Sequence, residues 1–317
     1  MNALAERMST VLVTGAAGFI GSHTCDRLLA DGHVVIGIDN FRTGHRTNLS
    51  AALAHQHFSL IEADVCAPGM ANRITADTRP DAIIHLAALV SVQESVQQPA
   101  LNFELNLHGT HLLAEAARAN GIGRLVFASS AAVYGDCEQL PLHESAATRP
   151  ISPYGAAKLA SEALLLGHAV TYGFTVRCHR YFNVFGPRQD PKSPYSGVIS
   201  IFTDKLRAGL APTIFGDGEQ TRDFVYVEDV ARANALAATA PAVSSGIAHI
   251  CTGRPTTLNE LLRALSGLMP HSKSAIHADA RAGDIRHSLG APEAACAELG
   301  FTAKVSLADG LAALLKC

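Results

Sequence analysis

The chain has 317 residues, 48% of them apolar and 17% charged, with a net charge of −3 and a pI near 6.6. That length exceeds the usual single domain, and the composition excludes a disordered, collagen-like or disulfide-scaffold protein. With no overall basic footprint, nucleic acid is not an expected partner, and any anionic ligand has to be met by local charge.

The first eight or so residues read as a loose extension without the apolar core of a secretory signal. Six apolar runs follow: VLVTG from Val11, VVIGID from Val34, FSLIEAD from Phe58, AIIHLAA from Ala82, RLVFASS from Arg124 and TVRCHRYFN from Thr175. Their shortness and β-branched content predict strands buried on both faces, while stretches such as ELNLHGTHLLAEAARANG between them have helical periodicity. This alternation predicts an α/β fold with a doubly wound, Rossmann-like parallel sheet. Gly32 and Gly121 stand where helices need a C-terminal cap, and Pro153 where a helix begins. After Gly186 the texture changes: Pro187, Pro191, Pro194, Pro212, Gly216 and Gly218 precede a helix from Val227, a strand near HICTG and a helix from Leu258. The pattern predicts a dinucleotide-binding domain over 9–186 with a return crossing near 225–252. A smaller C-terminal α/β domain over 187–317 would bind substrate and roof the crevice beyond the strands' carboxyl ends.

Seven cysteines are scattered without a CxxC pair, which fits a reducing compartment. No run of about eighteen apolar residues is present, so a cytoplasmic protein without a membrane partner is expected. The fifteen histidines show no metal-ligand spacing, and no metal site is expected.

Gly15, Gly18 and Gly21 follow the first strand and open a helix. A pyrophosphate asks for this arrangement: a tight turn, a close backbone, and a helix N-terminus with free N–H groups. Asp39, at the end of the second strand, can accept both adenosine ribose hydroxyls and would repel a 2′-phosphate, which selects NAD over NADP. Asp64 and Val65 follow the third strand, where the adenine would lie. Leu86, Ala87 and Ala88 follow the fourth and let the cofactor pass closely.

Tyr154 and Lys158 are four residues apart on a predicted helix and share a face. A phenol titrates near 10 and needs help to act as a base at neutral pH. Lys158 and a positively charged nicotinamide would give it, and Ser130, at the end of the fifth strand, can share the hydrogen bond to a substrate oxygen. A Tyr and a Lys at this spacing are ordinary surface neighbours when alone. Beside the pair Ser129 and Ser130 in a dinucleotide fold they point to proton transfer at the cofactor.

The segments TGAAGFIGS, HLAALVSV, FASSAAVYG, YGAAK, RYFNVFGPRQ, GDGEQTRDFVYVEDV and RAGDIRHS, spread over nearly the whole chain, resemble the extended short-chain dehydrogenase/reductase family. Within it they are most similar to the nucleotide-sugar C4-epimerases acting on UDP-hexoses. The resemblance implies that NAD oxidises the sugar at C4 and that hydride returns to the other face of a bound 4-keto intermediate. Tyr154 would be base and then acid, Ser130 its partner, and Lys158 would hold the nicotinamide ribose. Phe19, Ile20, Asn40, Asn106, Ser129 and Tyr181 would join the cofactor contacts. Arg222 and Arg281 resemble a diphosphate clamp, Asn183 adds an amide, Asp284 reaches the uridine ribose, and Val198 and Phe215 flank the uracil. Forked guanidinium donors suit phosphate oxygens.

Two departures bear on the substrate. Ala131 and Ala132 stand where related 4,6-dehydratases place an acidic pair. Ser288 stands where members restricted to glucose and galactose carry a bulky tyrosine beside the sugar's C2 substituent, so it points to UDP-GlcNAc/UDP-GalNAc, with UDP-Glc/UDP-Gal as a second pair. Val90 stands where some relatives carry a lysine. The resemblance also implies a homodimer through the helices around 103–119 and 154–170. Two other readings stay open: a uronate epimerase, decarboxylase or reductase of the same family, and a non-catalytic NAD-binding regulator.

Overall fold

The apolar runs become parallel strands in the computed structural model, which describes residues 8–190, 197–269, 273–280 and 285–316. Residues 1–7 of the expected extension, Pro191, Pro194, and the expected substrate contacts Arg281 and Asp284 lie outside the described residues. The strands are β1 (Thr10–Thr14), β2 (Val34–Asp39), β3 (Phe58–Glu62), β4 (Ala82–His85), β5 (Arg124–Ser130), β6 (Thr175–Tyr181), β7 (Asn183–Phe185), β8 (Thr213–Phe215), β9 (Thr221–Tyr226), β10 (Gly246–Ile250), β11 (Pro255–Thr257) and β12 (Ile276–Ala278). Seven form one all-parallel sheet in the order β10-β6-β5-β4-β1-β2-β3. The order reverses between β1 and β4, which opens the crevice where a doubly wound sheet binds its ligand.

Alternation along the strands builds a core on each face. Val11 and Val13 of β1 and Val126 of β5 pack with α1 (Phe19–Ala30) and the return helix 227–239. Leu12, Leu125 and Phe127 face the opposite way, onto the helices at 70–78, 109–119 and 153–172. β3 departs from the expected two-sided burial. It is the edge strand, with one strand neighbour, and its residues are half-buried or exposed. The helix expected over 104–121 also differs: residues Phe103–His108 form a π turn before the α-helix Gly109–Ala119. Such wide turns change which side chain faces inward. Here buried Asn106 exchanges hydrogen bonds with both the N–H and the carbonyl of Leu89, at 2.8 and 2.9 Å.

α2 (Ser50–Leu53), α3 (Met70–Thr78), α4 (Val92–Gln97), α5 (Pro99–Asn102) and α6 (Gly109–Ala119) complete the first half. α7 (Pro153–Tyr172) starts on proline, is capped by Ser152 accepting from the Gly155 N–H at 3.1 Å, and ends at Gly173 with φ +78°. From β7 onward the strands outside the large sheet form a β11-β9-β7 sheet and a β12-β8 pair. α8 (Val198–Arg207), α9 (Val227–Thr239), α10 (Leu258–Leu268), α11 (Glu293–Leu299) and α12 (Leu307–Leu315) follow. A separate apolar cluster joins Phe202, Ile214, Phe224, Leu261 and Leu311. α9 and β10 leave this region: α9 packs on α1, and β10 extends the large sheet beside β6. Among the described residues no helix is long and apolar enough to cross a membrane.

Candidate active site

Gly15 follows β1 with φ +69°, and a Cβ there would fall 2.8 Å from the Ala87 nitrogen; one on Gly21 would fall 2.0 Å from the Gly15 oxygen. Only glycine lets the turn nest against the loop after β4 while α1 begins on top of it. Gly18 is the N-cap of α1, and Phe19 and Ile20 form its first turn. Asp39, 8% exposed, accepts the N–H groups of Ala17 at 2.8 Å and Phe41 at 2.7 Å. Burial pushes its pKa up, and these two donors pull it back. Asn40 donates to Asp64 at 3.1 Å, fixing the next two loops together.

A cleft is lined by Gly15, Asp39, Asn40, Asp64, Val65, Leu86, Ala87 and Ala88, all legible in the sequence. Arg42, Thr43, Cys66, Val90 and Leu105 also line it. Arg42 was missed because nothing local marks it. Its guanidinium pairs with Glu94, 52 residues away in the first turn of α4.

β5 delivers the serine pair, and strand alternation sends the two side chains to opposite faces. Ser130 accepts the Ala132 N–H at 3.1 Å, and its hydroxyl pulls the pKa of the Tyr154 phenol down. Ser129, expected at the cofactor, gives its hydroxyl to buried Glu162 instead. Tyr154 is tied at its N–H to the Ser95 hydroxyl at 3.1 Å. Lys158 is 3% exposed, with its ammonium 5.8 Å from the centre of the Tyr154 ring and 4.8 Å from that of Phe127. Burial draws the Lys158 pKa down to about 7, against the upward pull of Glu162. Burial raises that of Tyr154, against the pull of the Ser130 hydroxyl. The Tyr181 hydroxyl turns to Asn234 of α9 at 2.7 Å.

His85 is a further residue that the sequence did not single out. It lies between Thr14 Oγ1 at 2.8 Å and Thr110 Oγ1 at 3.2 Å. Thr14 already accepts from the N–H groups of Leu86 and Ala87, so it donates to His85 Nδ1; the imidazole proton then sits on Nε2 and is given to Thr110. Burial lowers the His85 pKa to about 3, which keeps the ring neutral. This chain of bonds joins the glycine turn to the π turn.

Apart from Asn183, the remaining expected substrate residues lie beyond Gly186. Asn183 is registered against Phe224 on β9, two residues from Arg222. Arg222 donates to the Thr221 carbonyl at 2.8 Å, and the Ser288 N–H donates to the same carbonyl at 3.1 Å, which brings these two together. Phe215 ends β8 half-buried, and Val198 opens α8 against the second apolar cluster.

The profile of the NAD dependent epimerase/dehydratase family matches residues 11–251. The chain belongs to this family. It is 40% identical to the UDP-glucose 4-epimerase of Mycolicibacterium smegmatis over 302 residues, covering 95% of this chain and 96% of the relative. A UDP-N-acetylglucosamine 4-epimerase from Methanobrevibacter ruminantium M1, solved in complex with UDP-N-acetylmuramic acid, superimposes with a TM-score of 0.92 at 37% identity, covering 98% of both chains. The UDP-glucose 4-epimerase of Thermotoga maritima, solved with UDP-glucose, gives 0.91 at 38% identity and 97% of both chains. The seven-stranded Rossmann-like sheet is the fold of these epimerases. The family's NAD fits the residues present: the glycine cradle admits no side chain, and a carboxylate lines the cleft at the end of β2.

Proposed function

We propose that this family member is an isomerase that interconverts UDP-hexoses at C4, acting on UDP-GlcNAc/UDP-GalNAc and also on UDP-Glc/UDP-Gal. The observation that carries this reading is the Lys158 ammonium held over the Tyr154 ring, 5.8 Å from its centre, with the Ser130 hydroxyl drawing the Tyr154 phenol's pKa down. Bound NAD supplies the acceptor and then the donor of a hydride. The chain's own residues manage the proton and the positions. Gly15, Gly18, Gly21, Phe19 and Ile20 cradle the pyrophosphate, Asp39 and Asn40 hold the adenosine ribose, Asp64 and Val65 meet the adenine, and Lys158 takes the nicotinamide ribose.

Tyr154 takes the proton of the sugar C4 hydroxyl and later returns it. A buried phenol resists ionisation, so the reaction needs the two features that favour phenolate here, the Lys158 charge and the Ser130 hydroxyl. Arg222 meets the diphosphate with Asn183 beside it, while Val198 and Phe215 flank the uracil; Arg281 and Asp284 are assigned by motif alone. Ser288 is small and shares the Thr221 carbonyl with Arg222. This supports a pocket with room for an N-acetyl group at C2. Exposed Phe103 (57%) and Val170 (88%), on the paired helical segments around 103–119 and 153–172, support a homodimer through four helices.

UDP-glucose carrying deuterium at C4 tests the chemistry. The label is expected at C4 of the UDP-galactose formed, with no solvent hydrogen entering; washout of the label into water would contradict C4 hydride return.

A further inference from the structure

Behind Tyr154 and Lys158 lies a second layer of buried charge. Glu162 sits one turn beyond Lys158 on α7 and is 2% exposed. Its carboxylate receives both arms of the Arg180 fork, from Nε at 2.9 Å and Nη2 at 2.6 Å, together with the Ser129 hydroxyl. Arg180 also donates to the Tyr134 hydroxyl at 2.5 Å and to the Glu144 carbonyl at 3.2 Å. Ser129 and Arg180 are registered partners on β5 and β6, each one residue before Ser130 and Tyr181. One carboxylate thus ties α7 to two strand ends at the level where the candidate catalytic groups emerge.

We propose that Glu162, paired by Arg180 and fixed by Ser129, is a positioning residue that holds Lys158 charged and in place beside Tyr154. The proposal rests on the 4-epimerase reading for what Lys158 does there. An ammonium buried in protein needs a counter-charge or it neutralises. Around the Tyr154, Lys158 and Glu162 face of α7 stand neutral His85 on β4, the Phe127 ring and Ser129 on β5, and Cys178, Arg180 and Tyr181 on β6. Burial keeps the Cys178 thiol and Tyr181 phenol protonated. Among these described residues only Glu162 brings a negative charge, and residues four apart on a helix are neighbours. The ring faces of Phe127 and Tyr154 add attraction without adding charge. Glu162 opposes the downward pull of burial on Lys158; Arg180, held on the far side of that carboxylate, is a like charge, and like charges disfavour one another.

The test uses the NAD-bound protein. The chain has six lysines, so the Lys158 ammonium signal can be assigned by ¹⁵N NMR through its loss in Lys158→Met. Glu162→Gln keeps an acceptor for Ser129 and removes the charge. We expect the Lys158 titration to move to lower pH by about one unit, the size of shift that loss of a near counter-charge brings, and the alkaline limb of the kcat profile to move with it. Arg180→Gln should move both to higher pH. If both variants leave the Lys158 titration unmoved, or shift it in the same direction, the proposal is overturned even where kcat falls uniformly. Should Glu162→Gln not fold, the upward shift in Arg180→Gln decides. A wild-type protein inactive on every UDP-hexose would remove the proposed function, while the lysine titration would still test Glu162.

Discussion

The large sheet and the short strands beyond Gly186 build their shares of the site differently. Ser130, Tyr154 and Lys158 emerge from β5 and α7, which are held by the Ser152 cap, the bond from the Tyr154 N–H to Ser95 and the carboxylate of Glu162. Phe215, Arg222 and Ser288 are half-buried, on strands of three and six residues or on a loop, and Arg222 and Ser288 meet through one shared carbonyl. The difference teaches a division of labour. Proton transfer needs fixed geometry and sits on rigid elements; fit to a variable sugar tolerates a looser wall.

If that division is right, changes on the sheet side should lower kcat, and changes on the other side should alter affinity or substrate range. Tyr154→Phe carries the largest effect: kcat should fall about 10²- to 10⁴-fold, the usual weight of a general base, with UDP-sugar affinity kept in a calorimetric titration. A variant that lost binding and kept turnover would break the comparison. Arg222→Ala should raise KM about tenfold or somewhat more, as expected for losing a charge-assisted bond, with kcat nearly unchanged in steady-state assays. Ser288→Tyr should remove activity on UDP-GlcNAc and spare UDP-Glc; equal loss on both would end the idea of a gate.

The smallest effect concerns acid. Burial is the chief cause that lowers the pKa of His85 to about 3 and those of His179 and His249 to about 4. Unfolded histidine titrates at about 6.5. Between that value and about 4 the unfolded chain therefore binds protons that the native protein does not, and stability falls as pH falls through this window. Thermal midpoints measured from pH 7.5 down to 4.5 should drop, and His179→Asn should flatten the slope. A midpoint that rises on acidification would contradict the neutral buried imidazoles.

Much of this molecule was legible in the chain because its signals are local. Gly15, Gly18 and Gly21 answer to a turn, Asp39 to a strand end, and Tyr154 and Lys158 to one helix face. Residues whose roles depend on distant partners were not legible. His85 meets Thr14 across 71 residues, and Arg180 meets Tyr134 across 46. Glu162 reads in sequence as one more helix carboxylate, and burial beside Arg180 gives it its meaning. Ser129 reads beside Ser130 as a second cofactor contact, but strand alternation separates two adjacent side chains and turns Ser129 to Glu162. The π turn at Phe103–His108 carries an ordinary helical pattern, and the hold of Asn106 on Leu89 that accompanies it is a contact between segments.

The most direct test of the account is to incubate purified protein, without added NAD, separately with UDP-GlcNAc and UDP-Glc, and to resolve the products by proton NMR. The account predicts UDP-GalNAc from the first and UDP-Gal from the second; no epimer from either sugar, even after NAD is supplied, would contradict it.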